Sequence, residues 1–329
     1  MVPRKETLSL KSPLNQGILR AEPAKFHYSD YTFQQNTFVK LTLCLVLLSL
    51  AGLCASAADC VELQAKSGAR VWVYLPSKQA PSLPCVLVPP AGTRLFHGIR
   101  MTDGDRSEHW PYVERGFIVV SFDIAGELDD VGNSASCLTA IQAFLAADCG
   151  VADAKSAFAV ACDRFRQIDR SRLYVAGHSS AATLALQIAA SDLHVEACVA
   201  MAPIGDLAQR FGASQEWFDR LVPGSYYRLV SQSPVNIGSR IRCPVFLFHA
   251  LDDSNVAPDE VLRLKSALLE HSVTVKYSTA EQGGHYDSMI QFGVPAAAAW
   301  LSEIDQSKRP NEPLPRMPAE VPSSSTRSE

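Results

Sequence analysis

The sequence predicts an α/β architecture: a mostly parallel sheet of about eight strands with helices on both faces. Three observations point there. Short runs rich in β-branched and aromatic residues recur between residues 60 and 304, and most are apolar throughout, as strands covered on both faces are. Segments of helical period lie between them. Strand and helix alternate, which favours parallel strands joined by helical crossovers.

In chain order the strand-like runs are VWVYLP (71–76), CVLVPP (85–90), FIVVSFDIAG (117–126), RLYVAG (172–177), VEACVAMAP (195–203), CPVFLFHA (243–250) and VTVKYSTA (273–280). The first helical segment, SEHWPYVERG (107–116), is expected to start on Ser107 as N-cap and stop at Gly116. A long segment over 136–168 is expected to break at Gly150, and three more cover 181–191, 257–272 and 287–304. Between Ile204 and Arg242 the alternation lapses. This stretch, with Phe211, Trp217, Phe218, Tyr226 and Tyr227, reads as a small helical excursion over the sheet edge, most of its aromatics packing it onto the body.

The ends differ in composition. Residues 1–40 form a polar N-terminal extension with scattered prolines. Leu41–Leu53 is uncharged and apolar, follows Lys40 and leads into the small-residue triplet Ala55-Ser56-Ala57. Residues 41–57 therefore read as an export signal or, if retained, a membrane anchor, with the folded part in the periplasm or extracellular space. A signal rarely lies so far along a chain, and a translation start near Val39 would explain it. Residues 305–329, rich in Pro, Ser and charge, read as a disordered tail. That leaves 58–304 as the folded domain, with 204–242 as its excursion.

The composition, 47% hydrophobic and 19% charged, supports a sizeable core. A net charge of −4 with no basic, aromatic-interleaved patch argues against a nucleic-acid partner. Of nine cysteines, Cys44 and Cys54 lie in the 41–57 segment. The others show no C-x-x-C spacing, so no cysteine zinc site is expected; several sit in apolar runs as core residues. Export would permit disulfides, and the odd remainder leaves at least one thiol without an intramolecular partner.

The chemistry centres on Gly177-His178-Ser179-Ser180-Ala181, where an apolar strand ends and an alanine-rich helix begins. Such an elbow lifts a serine hydroxyl above the sheet, and small neighbours avoid a clash. A serine needs a base within hydrogen-bond reach and an acid that orients the base. An acidic pair, Asp252 and Asp253, follows the run 243–250, and His285 lies in the glycine-bearing EQGGHYD. The order Ser, Asp, His is the one this sheet architecture uses.

On these residues the chain resembles a known family. IDRSRLYVAGHSSAA (168–182) is similar to the nucleophile elbow of α/β-hydrolases, most of all the catalytic domain of the prolyl oligopeptidase family and its dienelactone-hydrolase relatives. SPVNIGSRIRCPVFLFHALDDSNVAP (233–258) resembles that family's segment ending in His-Gly-x-x-Asp-x-x-Val-Pro, with His249, Asp253 and Val256 in place and Ala250 and Ala257 substituted. GGHYD resembles its closing histidine loop. The resemblance implies an α/β-hydrolase fold and an exported serine hydrolase cleaving an ester or peptide bond. Ser179 would be the nucleophile, His285 the base and Asp253 the acid, with no metal or organic cofactor. The implied substrate is a small ester or peptide.

There are departures. Ala181 replaces a glycine, and the usual His-Gly-Gly of the early loop is VPPAGT. The oxyanion hole would use the N–H of Ser180 with that of Ala91 or Gly92, because Pro89 and Pro90 have none. No β-propeller precedes the sheet, which favours an esterase or small-peptide hydrolase, while the family resemblance points back to a serine peptidase; ester and peptide both stay open. A non-catalytic binding protein on the same scaffold is the rival from another class. Elsewhere, Asp103, Asp105, Glu108 and His109 read as a capped, solvated loop rather than a metal site. His97 and His194 read as surface or satisfied histidines, and His178 as a packing residue. Asp123 and Gly126 resemble the family's Asp-x-x-Gly turn near the site.

Overall fold

The computed structural model describes residues 60–308 apart from residue 129. The readings made for the extension 1–40, the segment 41–57 and the tail beyond 308 lie outside the described residues. Eight strands form one sheet: β1 (Cys60–Gln64), β2 (Arg70–Tyr74), β3 (Leu83–Leu87), β4 (Ile118–Phe122), β5 (Ile168–His178), β6 (Ala197–Met201), β7 (Val245–Ala250) and β8 (Val275–Ala280). Their spatial order is β1-β2-β4-β3-β5-β6-β7-β8. The β1–β2 and β2–β4 pairs are antiparallel, and every pair from β4 to β8 is parallel. β1 was not among the runs read from the sequence. It is an edge strand of alternating exposure, and Glu62 and Gln64 break any apolar run.

The helices are α1 (Trp110–Glu114), α2 (Ser134–Ala146), α3 (Val151–Arg164), α4 (Ser180–Ala189), α5 (Leu207–Phe211), α6 (Gln215–Leu221), α7 (Ser225–Val230), α8 (Pro234–Ile237), α9 (Pro258–Glu270) and α10 (Val294–Lys308). Alternate strand residues supply two cores. Val71, Val73, Leu87, Val120 and Leu247 meet α2, α3, α4 and α9 on one face. Trp72, Tyr74, Val119, Tyr174 and Phe246 meet α1 and α10 on the other. All ten residues of α4 are buried, and its alanines let it lie close under the sheet.

The break expected at Gly150 is present, with a 63° bend between α2 and the helix that follows. The expectation for Ser107 is corrected. A 3-10 turn runs from Asp103 to Glu108 behind a capping box of Thr102 and Asp105, and Ser107 lies inside it, donating to the Gly104 carbonyl at 3.1 Å. The last helix also runs past the boundary drawn at Ile304, to Lys308. Buried Asp305 explains this: it accepts from Arg172 Nε and Nη2, both at 2.7 Å, and from the Tyr174 hydroxyl at 3.2 Å, tying α10 to β5.

The excursion consists of α5 to α8. Phe218 is its anchor, fully buried and edge-on to Phe96 of the early loop at 5.5 Å and to Trp217 at 4.9 Å. Tyr227 does not share that packing and is 62% exposed. All seven described cysteines are free thiols, six buried and Cys60 exposed. Among the described residues no single helix is long and apolar enough to cross a membrane.

Candidate active site

The elbow is built by β5 and α4. Ser179 has φ 56° and ψ −122°, a backbone region that a side chain normally avoids, and its N–H donates to the Met201 carbonyl at 2.8 Å. Gly177 is required by close approach: a Cβ there would lie 2.4 Å from the Ala181 carbonyl. Ala181, where the family has glycine, is buried without positive φ, so its methyl group fits the elbow unstrained.

Asp253 and His285, the expected acid and base, follow the ends of β7 and β8. Asp253 Oδ2 lies 2.7 Å from His285 Nδ1, and Asp253 Oδ1 accepts the N–H groups of Asn255 at 2.8 Å and Val256 at 3.0 Å. His249 Nε2 sits beneath, 3.3 Å from Asp253 Oδ2 and 3.0 Å from the Val256 carbonyl. Burial alone would push the Asp253 carboxyl up. Hydrogen bonds from His249, His285 and the Val256 N–H outweigh that and hold it well below the usual carboxylate range. A carboxylate so held accepts from Nδ1–H and leaves Nε2 as the basic nitrogen of His285.

Asp252 does a different job. Its oxygens accept the N–H groups of Gly283 at 3.1 Å and Gly284 at 2.8 Å, fixing the start of the histidine loop. At the loop's other end the His285 carbonyl accepts from His178 Nε2 at 2.8 Å, and the two imidazoles are in contact with centroids 4.6 Å apart. His285 is therefore placed against the residue next to Ser179. Ser179 Oγ itself takes no hydrogen bond among the described residues; in free enzymes such bonds commonly form only with substrate.

The early loop is tied to the elbow by a contact the sequence did not disclose. Ser180 Oγ accepts the N–H groups of Gly92 and Thr93, both at 3.0 Å. Gly92 N–H is thus engaged, whereas those of Ala91 and Ser180 meet no acceptor among the described residues. Asp123 fixes the far side of this loop through Arg70 at 2.9 Å and the Met101 N–H at 2.9 Å, and the Gly126 carbonyl accepts from Gly98 N–H at 2.8 Å.

The reading of Glu108 and His109 as solvated is corrected. The 3-10 turn carries Asp103 on the surface but sends Glu108 and His109 inward. Among the described residues neither nitrogen of His109 finds a hydrogen-bond partner, nor does the neighbouring Tyr112 hydroxyl. Burial, reinforced by the Asp105 charge, pushes Glu108 up to about 8; burial and Arg106 push His109 down to about 3. No cluster of His, Cys, Asp and Glu suited to a metal ion occurs among the described residues. His97 is buried and satisfied by the Gly98 carbonyl at 2.7 Å, and His194 is exposed beside Glu196 at 2.7 Å.

A doubly wound sheet with a serine at the strained turn between its central strand and the following helix defines an α/β-hydrolase. Residues 106–303 match the prolyl oligopeptidase family. The chain belongs to that family. No curated protein matches it.

Solved structures share the fold at low identity. An acylaminoacyl peptidase from Pyrococcus horikoshii superposes with a TM-score of 0.57 at 17% identity, covering 74% of this chain and 40% of that one. A puromycin-hydrolyzing peptidase from Mycobacterium tuberculosis gives 0.57 at 20% identity, with 75% and 39% covered. Acetyl xylan esterase 1 from Thermoanaerobacterium gives 0.54 at 19% identity, with 77% and 86% covered. The chain thus spans about two fifths of the length of the peptidases and most of the length of the esterase.

Proposed function

We propose that the chain hydrolyses an ester or peptide bond of a small substrate by acyl transfer through Ser179. The observation that carries this reading is the 2.7 Å contact of Asp253 with His285 Nδ1, on a loop held against the residue preceding Ser179. His285 Nε2 takes the proton from Ser179 Oγ as the oxygen attacks the substrate carbonyl. The tetrahedral oxyanion is held by the N–H groups of Ser180 and Ala91; Gly92, the other candidate, is engaged with Ser180 Oγ. Losing one such donor typically costs about 3 kcal/mol of transition-state stabilisation. The imidazolium then protonates the leaving group, an acyl-enzyme remains on Ser179, and water attacks it with His285 again as base. Asp253 keeps the proton on Nδ1 throughout and offsets the imidazolium charge. The residues in these roles need no metal or organic cofactor.

The apolar run ahead of Ala55-Ser56-Ala57 supports export or membrane attachment through residues 41–57. N-terminal sequencing of the protein from its source cells tests this; a mature chain that keeps residues 41–57 and stays with the cytosol sinks it.

A fluorophosphonate probe tests the chemistry. We expect labelling of the folded protein that disappears in Ser179→Ala. Folded wild-type protein that takes no label would favour a binding protein on a hydrolase scaffold. Turnover of nitrophenyl acyl esters beside aminoacyl and prolyl anilides then decides between ester and amide.

A further inference from the structure

The loop bearing His285 is gripped at both ends, and one grip comes from the strand that carries the nucleophile. His178 is the last residue of β5, one peptide bond from Ser179, and its Nε2 lies 2.8 Å from the backbone carbonyl of His285. We propose that His178 is a positioning residue: by donating its Nε2–H to the His285 carbonyl it sets the height and tilt of the catalytic imidazole over Ser179. The proposal rests on the triad reading above and assigns a task to a residue that the sequence suggested only as packing.

Three features support it. A carbonyl oxygen only accepts, so His178 must present Nε2–H, which fixes its tautomer. The ring is buried, and burial together with the charge of neighbouring His285 presses it down to about 3, so it remains a neutral donor at working pH. A second cation beside His285 would oppose the imidazolium formed during acyl transfer; a neutral ring does not. The contact is also short in chain terms. Base and nucleophile are 106 positions apart in sequence, yet this bond references the base to the residue adjoining the nucleophile. Asp252 holds the opposite end through Gly283 and Gly284, so the imidazole sits between two backbone anchors. A flat apolar side chain would supply the 4.6 Å ring contact equally well; only a donor supplies the hydrogen bond.

The decisive comparison is His178→Gln with His178→Met, two side chains of similar length and volume of which only glutamine donates. The readouts are kcat and KM for a nitrophenyl acyl ester, and the second-order rate of fluorophosphonate labelling. We expect His178→Met to lose about tenfold to a hundredfold in kcat and labelling rate, with KM within about twofold, since small misplacements of catalytic groups cost that much. His178→Gln should recover most of the loss. Equal activity of the two variants would overturn the proposal, because packing alone would then account for the residue. The unmutated protein supplies a second check that needs no variant to fold. Nitrogen-15 NMR at neutral pH should report His178 as the neutral Nε2–H tautomer, and an Nδ1–H tautomer or a charged ring would overturn the proposal. Ser179→Ala is the control for the underlying reading. If it still takes the label, the triad reading fails; if it does not and Met matches Gln, only the role of His178 fails.

Discussion

Asp253 and Glu108 are buried to the same degree, 6% and 5% exposed, yet their carboxyl groups are driven in opposite directions. Asp253 lies in the turn after β7, where two backbone N–H groups, His249 and His285 converge on it. Glu108 ends a 3-10 turn and meets no such donors among the described residues, where its neighbours His109 and Tyr112 carry unpartnered polar atoms of their own. Burial penalises charge in both places. What differs is whether donors compensate it, and that decides whether a buried carboxyl stays ionised or takes up a proton. The first arrangement suits the proposed triad, which needs a carboxylate. The second stores a pH-dependent cost.

Asp253→Asn should have the largest effect. An amide in place of the carboxylate no longer stabilises the imidazolium and can present its NH2 to Nδ1, which favours the wrong tautomer; losses in such triads reach about 10⁴-fold in kcat. A kcat within tenfold of wild type would mean that the donors around Asp253 serve the turn rather than the chemistry.

Glu108→Gln probes the other member of the pair. Because the folded carboxyl is raised from its ordinary 4.5 to about 8, the native state binds more protons than the unfolded state between those values. Stability should therefore fall as pH rises through that window, by on the order of a few kcal/mol, and the glutamine variant should lack this decline. His109, lowered from 6.5 to about 3, gives the opposite limb, with stability rising as pH climbs through that interval. Parallel melting-temperature profiles for wild type and Glu108→Gln would show that Glu108 ionises freely in the fold.

Two smaller effects sharpen the contrast on the side of the site. Asp252→Ala removes the acceptor for Gly283 and Gly284 and should lower kcat about tenfold with little change in KM. Ser180→Ala frees the N–H groups of Gly92 and Thr93; we expect a loss of about threefold to tenfold, measured as kcat/KM on one ester. No change in either variant would mean that the loops hold their shape without these bonds.

What the sequence disclosed follows from what packing demands. Strands covered on both faces must be largely apolar, so β2 to β4, the second half of β5, β6 and β7 stood out; of the two edge strands, β8 was found by its β-rich run VTVKY and β1, with Glu62 and Gln64, was not. The elbow was legible because its steric needs are local: Gly177 must be small, and Ser179 must end a buried strand. Choosing Asp253 over Asp252 needed the resemblance; the structure adds that Asp252 holds the glycines instead. The inward turn of Glu108 and His109 was hidden because a charged, Asp-rich stretch ordinarily faces water. The bonds of His178 to the His285 carbonyl and of Ser180 to the early loop join segments distant in sequence and leave no local pattern.

The central claim is that Ser179 forms an acyl-enzyme. Its most direct test is rapid acid quenching during turnover of a nitrophenyl ester, followed by mass spectrometry of the digested protein. We expect the acyl group on the peptide containing Ser179, accumulating before steady state and absent from Ser179→Ala. Continued turnover with no acyl group on Ser179, or with the acyl group on a different residue, would contradict the account.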